Sequence, residues 1–270
     1  RASGWIEFAR CRKFQARRAQ RTASTRLGLR LLPQFLAIVN VVLVSFNHER
    51  LGHPKCSTLP LTMSYRVALL IIVVTHLVGA VGLRTDFADW MVLLTPVHLL
   101  VSFGLLFSFS SKSEFLKGAL LAVFALGLLV EVIGVNTGYP FGSYVYLEGL
   151  GPKVLNTPWL IGVNWVMLTL ASGSFVVQFL DNGSRLQRAL LASALMLALD
   201  VLIEPVAHAH RLWIFAGGIA PWQNYLSWFV VALIAQWIVG KGLGSNRLAG
   251  PILLAQAAFF ALSWLWPIAF

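Results

Sequence analysis

Three acidic residues, Glu131, Asp200 and Glu204, lie inside the long hydrophobic segments of this chain. The interior positions of these segments contain no lysine or arginine. Asp200 and Glu204 are four residues apart, so they stand one turn apart on the same face of a helix. Acidic side chains within a membrane are costly and mostly functional. The three carboxyl groups therefore predict a shared site at which a proton is donated or accepted.

The loops that follow these acids lead to two similar stretches, each of which opens the next hydrophobic segment. The stretches are TPWLIGVNWV, residues 157–166, and APWQNYLSWFV, residues 220–230. Their tryptophans are typical of a membrane interface. A position at the membrane interface explains the tryptophans better than it explains three asparagines near the same face of the predicted bundle, Asn136, Asn164 and Asn224. We therefore expect polar side chains to gather beside the acids.

The composition indicates which elements must position these groups. Of the 270 residues, 58% are hydrophobic and 11% are charged, and the mean hydropathy is +0.76. In soluble domains about a quarter of the residues are charged, so this chain is predicted to cross the membrane several times. Runs near the ~20 residues that span a bilayer predict seven transmembrane helices and an all-α, polytopic fold. These runs lie at about 66–83, 90–110, 117–136, 158–180, 187–206, 225–240 and 248–269.

Residues 1–62 differ from the remainder in charge and cysteine content. They hold 11 Lys and Arg against 2 acids and both cysteines, whereas residues 63–270 hold 10 against 8. The net charge of +11 is thus concentrated in this leader and does not indicate nucleic-acid binding. The leader is either a targeting segment, with 31–46 as a signal or extra helix, or upstream sequence read through before Met63. We favour the second interpretation, with a seven-helix membrane domain at 63–270.

The distribution of basic residues predicts the orientation in the membrane. Counted from Met63, one side carries Arg66, Lys112, Lys117, Arg185, Arg188, Lys241 and Arg247, and the other carries Arg84, Lys153 and Arg211. The side richer in basic residues is expected to be cytoplasmic, which places the N-terminus of the membrane domain inside. The two long loops, 137–157 and 207–224, then share the opposite face.

Several linked motifs carry a resemblance to a known family. They are EVIGVNTGYPFGSYVY, LGPKVLNTPWLIGVNW and LDVLIEPVAHAHRLWIF, the last followed by GGIAPWQNYLSWF. Together they resemble the CruF-type carotenoid 1′,2′-hydratases, also described as the carotenoid biosynthesis protein family, over residues 65–240. His208 and His210 depart from the expected apolar pattern, so no role is carried over to them. The resemblance implies a bacterial or archaeal cytoplasmic-membrane enzyme that adds water to the terminal double bond of an acyclic carotenoid.

The residues fit that chemistry when considered by themselves. A carboxylic acid in an apolar site favours its protonated form and can protonate an alkene. Glu204 or Asp200 is expected to be this acid and Glu131 its partner, while aromatic faces stabilise the carbocation and amides hold the water. The residues expected to contact the substrate are Asn136, Tyr139, Tyr144, Asn164, Trp213, Asn224 and Trp228. No cofactor or metal is expected, and the expected partners are the carotenoid, membrane lipid and other carotenoid enzymes.

Two other function classes remain open from the sequence. A transporter or non-catalytic lipid-binding protein would also place acids at a pocket, although the segments lack paired Gly and Pro breaks near mid-membrane. Asp200, Glu204 and His208 form an i, i+4, i+8 row that could bind zinc in a seven-helix hydrolase, but Pro205 interrupts it. A retinal photoreceptor is excluded, because the last segment has no lysine for a Schiff base.

Overall fold

The computed structural model describes residues 63–268, and the prediction for the leader at 1–62 lies outside them. The described part contains seven α-helices, and the predicted all-α, polytopic membrane fold is confirmed. The helices are α1 Tyr65–Gly82, α2 Ala88–Ser108, α3 Glu114–Thr137, α4 Leu160–Phe179, α5 Arg185–Ile203, α6 Trp222–Val239 and α7 Ala249–Leu265. The first five are long and apolar enough to cross a membrane, α5 together with the turn that follows it. The last two are 18 and 17 residues long.

Serine residues begin three helices at the same end of the bundle. The side chains of Ser64, Ser113 and Ser184 accept hydrogen bonds from backbone amides in the first turns of α1, α3 and α5. At α5 the side chain of Gln187 also accepts from the Ser184 amide, at 2.9 Å, which completes a capping box. The caps satisfy amides that a helix leaves without internal partners. The local sequence thus fixes where these helices start.

Helix α4 lies at the centre of the bundle and is buried along most of its length. It packs against α2, α3, α5, α6 and α7. Two of its glycines permit this close approach: a Cβ at Gly162 would lie 2.8 Å from Phe124 on α3, and one at Gly173 would lie 2.6 Å from Gln236 Oε1 on α6. Small residues at such contacts allow membrane helices to pack tightly. Tight packing is important in lipid, because burial of apolar surface does not drive helix association there.

The two long loops pair with each other across the end of the bundle. Strand β1, Tyr144–Tyr146, follows α3 and pairs antiparallel with β4, Trp213–Phe215, which follows α5. A shorter pair joins β2, Lys153–Val154, to β3, Thr157–Pro158. The loops therefore lie on the same side of the bundle. Arg211 holds the second loop in place through ion pairs with Asp89 at 2.7 Å and with Glu148 at 3.6 Å.

These short strands were not predicted from the hydrophobic pattern. Side chains alternate between the two faces of a strand, and in YVY and WIF the large aromatic residues are the ones that share a face. Tyr144, Tyr146, Trp213 and Phe215 are all buried, while Val145 points outward and is exposed. The paired strands thus form an aromatic lid, defined here as β1 and β4, over one end of the helices.

Candidate active site

A pocket lies under the aromatic lid, between the lid and the ends of α3, α5 and α6. It is small, with a cavity volume of about 10 Å³, which is room for about one water molecule. Two carboxyl groups and one amide face the pocket among aromatic rings, and none of the lining residues is a lysine or arginine. The lining residues are Glu131, Phe141, Tyr144, Tyr146, Glu204, Trp213, Phe215, Asn224 and Trp228.

Glu131 is buried, with 2% of its surface exposed, and accepts three hydrogen bonds. The Tyr144 and Tyr146 hydroxyls donate to its Oε2 at 2.5 and 2.8 Å. The indole of Trp165 donates to its Oε1 at 3.1 Å. Trp165 is itself stacked on Trp228, with ring centroids 4.1 Å apart. Strand β1, helix α4 and helix α6 thus fix the position of one carboxyl group on α3.

Burial raises the pKa of the Tyr144 and Tyr146 hydroxyls above the usual value for tyrosine, and the charge of Glu131 raises it further. Both groups therefore keep their protons at neutral pH. They act as hydrogen-bond donors to Glu131. The aromatic lid therefore contributes two hydroxyl groups to the site.

Two glycines on α3 make room for the residues that contact Glu131. A Cβ at Gly127 would lie 2.5 Å from the Trp165 side chain. A Cβ at Gly134 would lie 2.8 Å from Phe141 and 2.9 Å from the Tyr144 hydroxyl. Gly127 and Gly134 flank Glu131 at spacings of four and three residues, so all three share one face of the helix.

We expect Gly127→Ala to lower stability by about 1–3 kcal/mol, because the added methyl group forces Trp165 from its position. Gly118→Ala on the same helix is the matched control, since a Cβ there meets nothing within 4 Å. Alanine favours a helix over glycine by about 0.5–1 kcal/mol, so the control should be neutral or stabilising. The measurement is thermal unfolding of both variants in detergent. Equal melting temperatures for the two would contradict the packing described for Trp165.

Asp200 and Glu204 are joined by a single amide. The Asn224 side-chain nitrogen on α6 donates to Asp200 Oδ2 at 3.2 Å and to Glu204 Oε1 at 3.0 Å. The Trp213 indole on β4 donates to Glu204 Oε2 at 3.2 Å. Helix α5 ends beside this group, because Pro205 has no amide hydrogen and a 3₁₀ turn, Glu204–Val206, follows. Glu204 therefore faces the pocket, while Asp200 is buried behind it.

The structure brings most of the predicted site residues together. Glu131, Glu204, Tyr144, Trp213, Asn224 and Trp228 line one pocket, and Asp200 is bonded to one of them. Three predicted substrate contacts do not line it. Asn136 is exposed and is bonded to Val132, Leu155 and Asn156. Tyr139 is 75% exposed at the loop surface. Asn164 is half-buried on α4, one residue before Trp165, and is not among the residues that line the pocket.

Four functional candidates were missed: Phe141, Tyr146, Trp165 and Phe215. Side chains alternate between the two faces of a strand, so treating YVY and WIF as strands would have identified Tyr146 and Phe215. The signal for Trp165 was weaker. It is Gly127, one turn before Glu131 on α3, which leaves space for a large side chain from a neighbouring helix. Nothing in the sequence singled out Phe141.

The row of Asp200, Glu204 and His208, which the alternative of a metal-dependent hydrolase requires, is not assembled. The 3₁₀ turn after Ile203 interrupts the helical spacing, and His208 is exposed while Glu204 faces the pocket. Within residues 63–268 no group of three or more His, Cys, Asp or Glu side chains has the arrangement of a metal site. His210 is buried elsewhere, with its Nε2 2.9 Å from Ser263 Oγ. Burial, together with the nearby Arg84, lowers the pKa of His210 to about 4.

Comparison with known proteins agrees with the resemblance in the motifs. The family described as "Carotenoid biosynthesis protein" matches residues 68–265. A bisanhydrobacterioruberin hydratase from Haloarcula japonica is 30% identical over 159 residues, which are 54% of this chain and 54% of that protein. The chain thus matches about half the length of this curated relative. No solved structure gives a significant match.

Proposed function

This chain belongs to the carotenoid biosynthesis protein family, and on that premise we propose that it is a membrane-embedded hydratase. It adds water across the terminal 1′,2′ double bond of an acyclic carotenoid end group. The observation that carries the proposal is the pocket itself, where two carboxyl groups face a ring of aromatic side chains without a basic residue. The name of the matched relative supports the same reaction class.

The reaction needs a proton, shelter for a cation and a held water. A carboxylic acid protonates the less substituted alkene carbon, and the π bond breaks to leave a tertiary carbocation. Water then forms a C–O bond at that carbon and loses one proton, which leaves a tertiary alcohol. The aromatic faces of the pocket stabilise the cation by about 0.5–2 kcal/mol each. No electron is transferred, so the step needs no redox partner.

The geometry supports a different role for each carboxyl group. Glu204 presents the proton, because it faces the pocket from the end of α5 and is less deeply buried than Asp200. Glu131 orients the water and accepts its proton, since three donors hold this carboxylate in place. Asn224 sets the distance between Asp200 and Glu204. The carotenoid enters from the bilayer, in which it is dissolved.

Expression in a host that makes an acyclic carotenoid tests the proposal. The pigments should gain the mass of one water for each hydrated end group, and an empty vector should give none. Unchanged pigment, with the protein present in the membrane, would contradict it. A non-catalytic carotenoid-binding protein, the second candidate, would instead co-purify with unmodified pigment.

We also propose that the aromatic lid faces away from the cytoplasm, from the seven-to-three distribution of basic residues. Ser143 and Gly217 are exposed in the two loops. In a background without the native cysteines, a cysteine at either position should react with an impermeant thiol reagent added outside intact cells. A cysteine at Ser111, between α2 and α3, is the control for the opposite face. Labelling of the control alone would reverse the orientation.

A further inference from the structure

One carboxyl oxygen in this site differs from the others in its surroundings. Oδ1 of Asp200 is buried, and no residue within 63–268 donates a hydrogen bond to it. The remaining oxygens of the Asp200–Glu204 pair each face an N–H group. Asn224 donates to Asp200 Oδ2 and Glu204 Oε1, and Trp213 donates to Glu204 Oε2.

The pair cannot easily carry two negative charges. The Asn224 nitrogen donates hydrogen bonds to Asp200 Oδ2 at 3.2 Å and to Glu204 Oε1 at 3.0 Å. The distance between these two oxygens therefore cannot exceed the sum of the two hydrogen-bond lengths. Their bridge is a neutral amide, and no lysine or arginine lines the pocket. Two carboxyl groups that share one neutral donor in an apolar site, with no cation beside them, favour a state in which one of them keeps its proton.

The hydrogen bonds indicate which atom holds that proton. An oxygen that accepts from an N–H group is a poorer position for a proton than an oxygen that faces no donor, because the donor's hydrogen already occupies the adjacent space. Among the oxygens of the pair, Asp200 Oδ1 alone faces no donor from the described residues. We infer that the shared proton resides on Oδ1 of Asp200, which serves as the proton store for Glu204.

The position of the proton follows from geometry alone, whereas its use rests on the proposed function. The terminal torsion of an aspartate is soft, so rotation can turn the Asp200 O–H group toward Glu204, which shares the Asn224 nitrogen with it. The Asp200 O–H bond breaks and a Glu204 O–H bond forms, after which Glu204 can protonate the alkene. Capture of water releases one proton, so the cycle consumes none. Asp200 is in this sense a positioning residue that acts through Glu204.

Infrared spectroscopy of the purified protein tests the position of the proton without any substrate. At neutral pH the spectrum should contain the carbonyl stretch of a protonated carboxylic acid. Labelling aspartate side chains with carbon-13 should shift this band, while labelling glutamate should leave it in place. The other described aspartates are Asp86, Asp89 and Asp181, and none of them is buried. No such band, or a band that shifts only with labelled glutamate, would overturn the inference.

Asp200→Asn assigns the band to one residue. The amide keeps an acceptor toward Asn224 and places its NH₂ group where the inferred O–H group stands, so the fold should be retained. The band should disappear, and repeated hydration should fall by about 10²-fold or more. If this variant does not fold, Glu131→Gln decides, because it leaves the Asp200–Glu204 pair intact and the band must therefore survive in it. Loss of the band in Glu131→Gln would refute the assignment. Absence of hydration in the parent protein would overturn the proposed function but leave the infrared result standing.

Discussion

Replacing Glu204 by glutamine should reduce carotenoid hydration by about 10²–10⁴-fold while the protein remains folded in the membrane. The amide keeps the shape and polarity of the side chain but cannot release a proton at neutral pH. Glutamine can still accept from Trp213 through its carbonyl oxygen but cannot also accept from Asn224, so the amount of folded protein is measured alongside the activity. The measurement is the amount of hydrated pigment per unit of membrane-inserted protein.

Glu148→Gln is the matched control for this variant. Glu148 lies in the loop that follows α3, next to the aromatic lid, and is paired with Arg211 rather than facing the pocket. The control removes the same charge on the same side of the bundle, so hydration should stay at the parent rate. Equal losses in both variants would show that charge at this face, and not a proton donor at Glu204, controls the reaction.

Replacing Glu131 by glutamine should have an effect of similar size for a different reason. The change removes the base that accepts the proton of the attacking water, a loss of about 10²–10⁴-fold. Trp165 can still donate to the amide oxygen, and the Tyr144 and Tyr146 hydroxyls can accept from the amide nitrogen. Folding should therefore be preserved. Hydration and protein amount are measured together, as for Glu204.

A purely structural role for Glu131 would give the opposite pattern. Glu131→Gln would then hydrate at the parent rate, while Glu131→Ala would lower the amount of folded protein, because three buried donors would lose their acceptor. Tyr144→Phe and Tyr146→Phe provide an intermediate case, since each removes one donor and leaves the carboxylate. We expect each of them to reduce hydration less than Glu131→Gln does.

The sequence predicted the helices and the acids of the site because both depend on local patterns. Hydrophobic runs of bilayer length identify the helices, and an acid inside such a run is conspicuous. The spacing of Asp200 and Glu204 placed them on one helix face, and the structure joins them through Asn224. The three acids also predicted a shared site, and Glu131 does line the pocket with Glu204.

The remaining parts depend on contacts between segments that are distant in sequence. The register of β1 against β4 pairs Tyr144 with Phe215 and Tyr146 with Trp213, and no local pattern specifies that partnership. Trp165 reaches Glu131 only because Gly127 leaves space for it on the facing helix. Asn136 was assigned to the site because it lies near the same face of the predicted bundle, but its side chain is hydrogen-bonded to Leu155 and Asn156 in the adjacent turn.

The central claim is that this chain adds water to a carotenoid by proton transfer alone. The most direct measurement uses the purified protein and an acyclic carotenoid in oxygen-18-labelled heavy water, without added cofactor. The alcohol should carry one oxygen-18 atom and one deuterium at the adjacent carbon, and Glu204→Gln should form at most about a hundredth as much. A product with unlabelled oxygen, or no product from folded protein, would contradict the account.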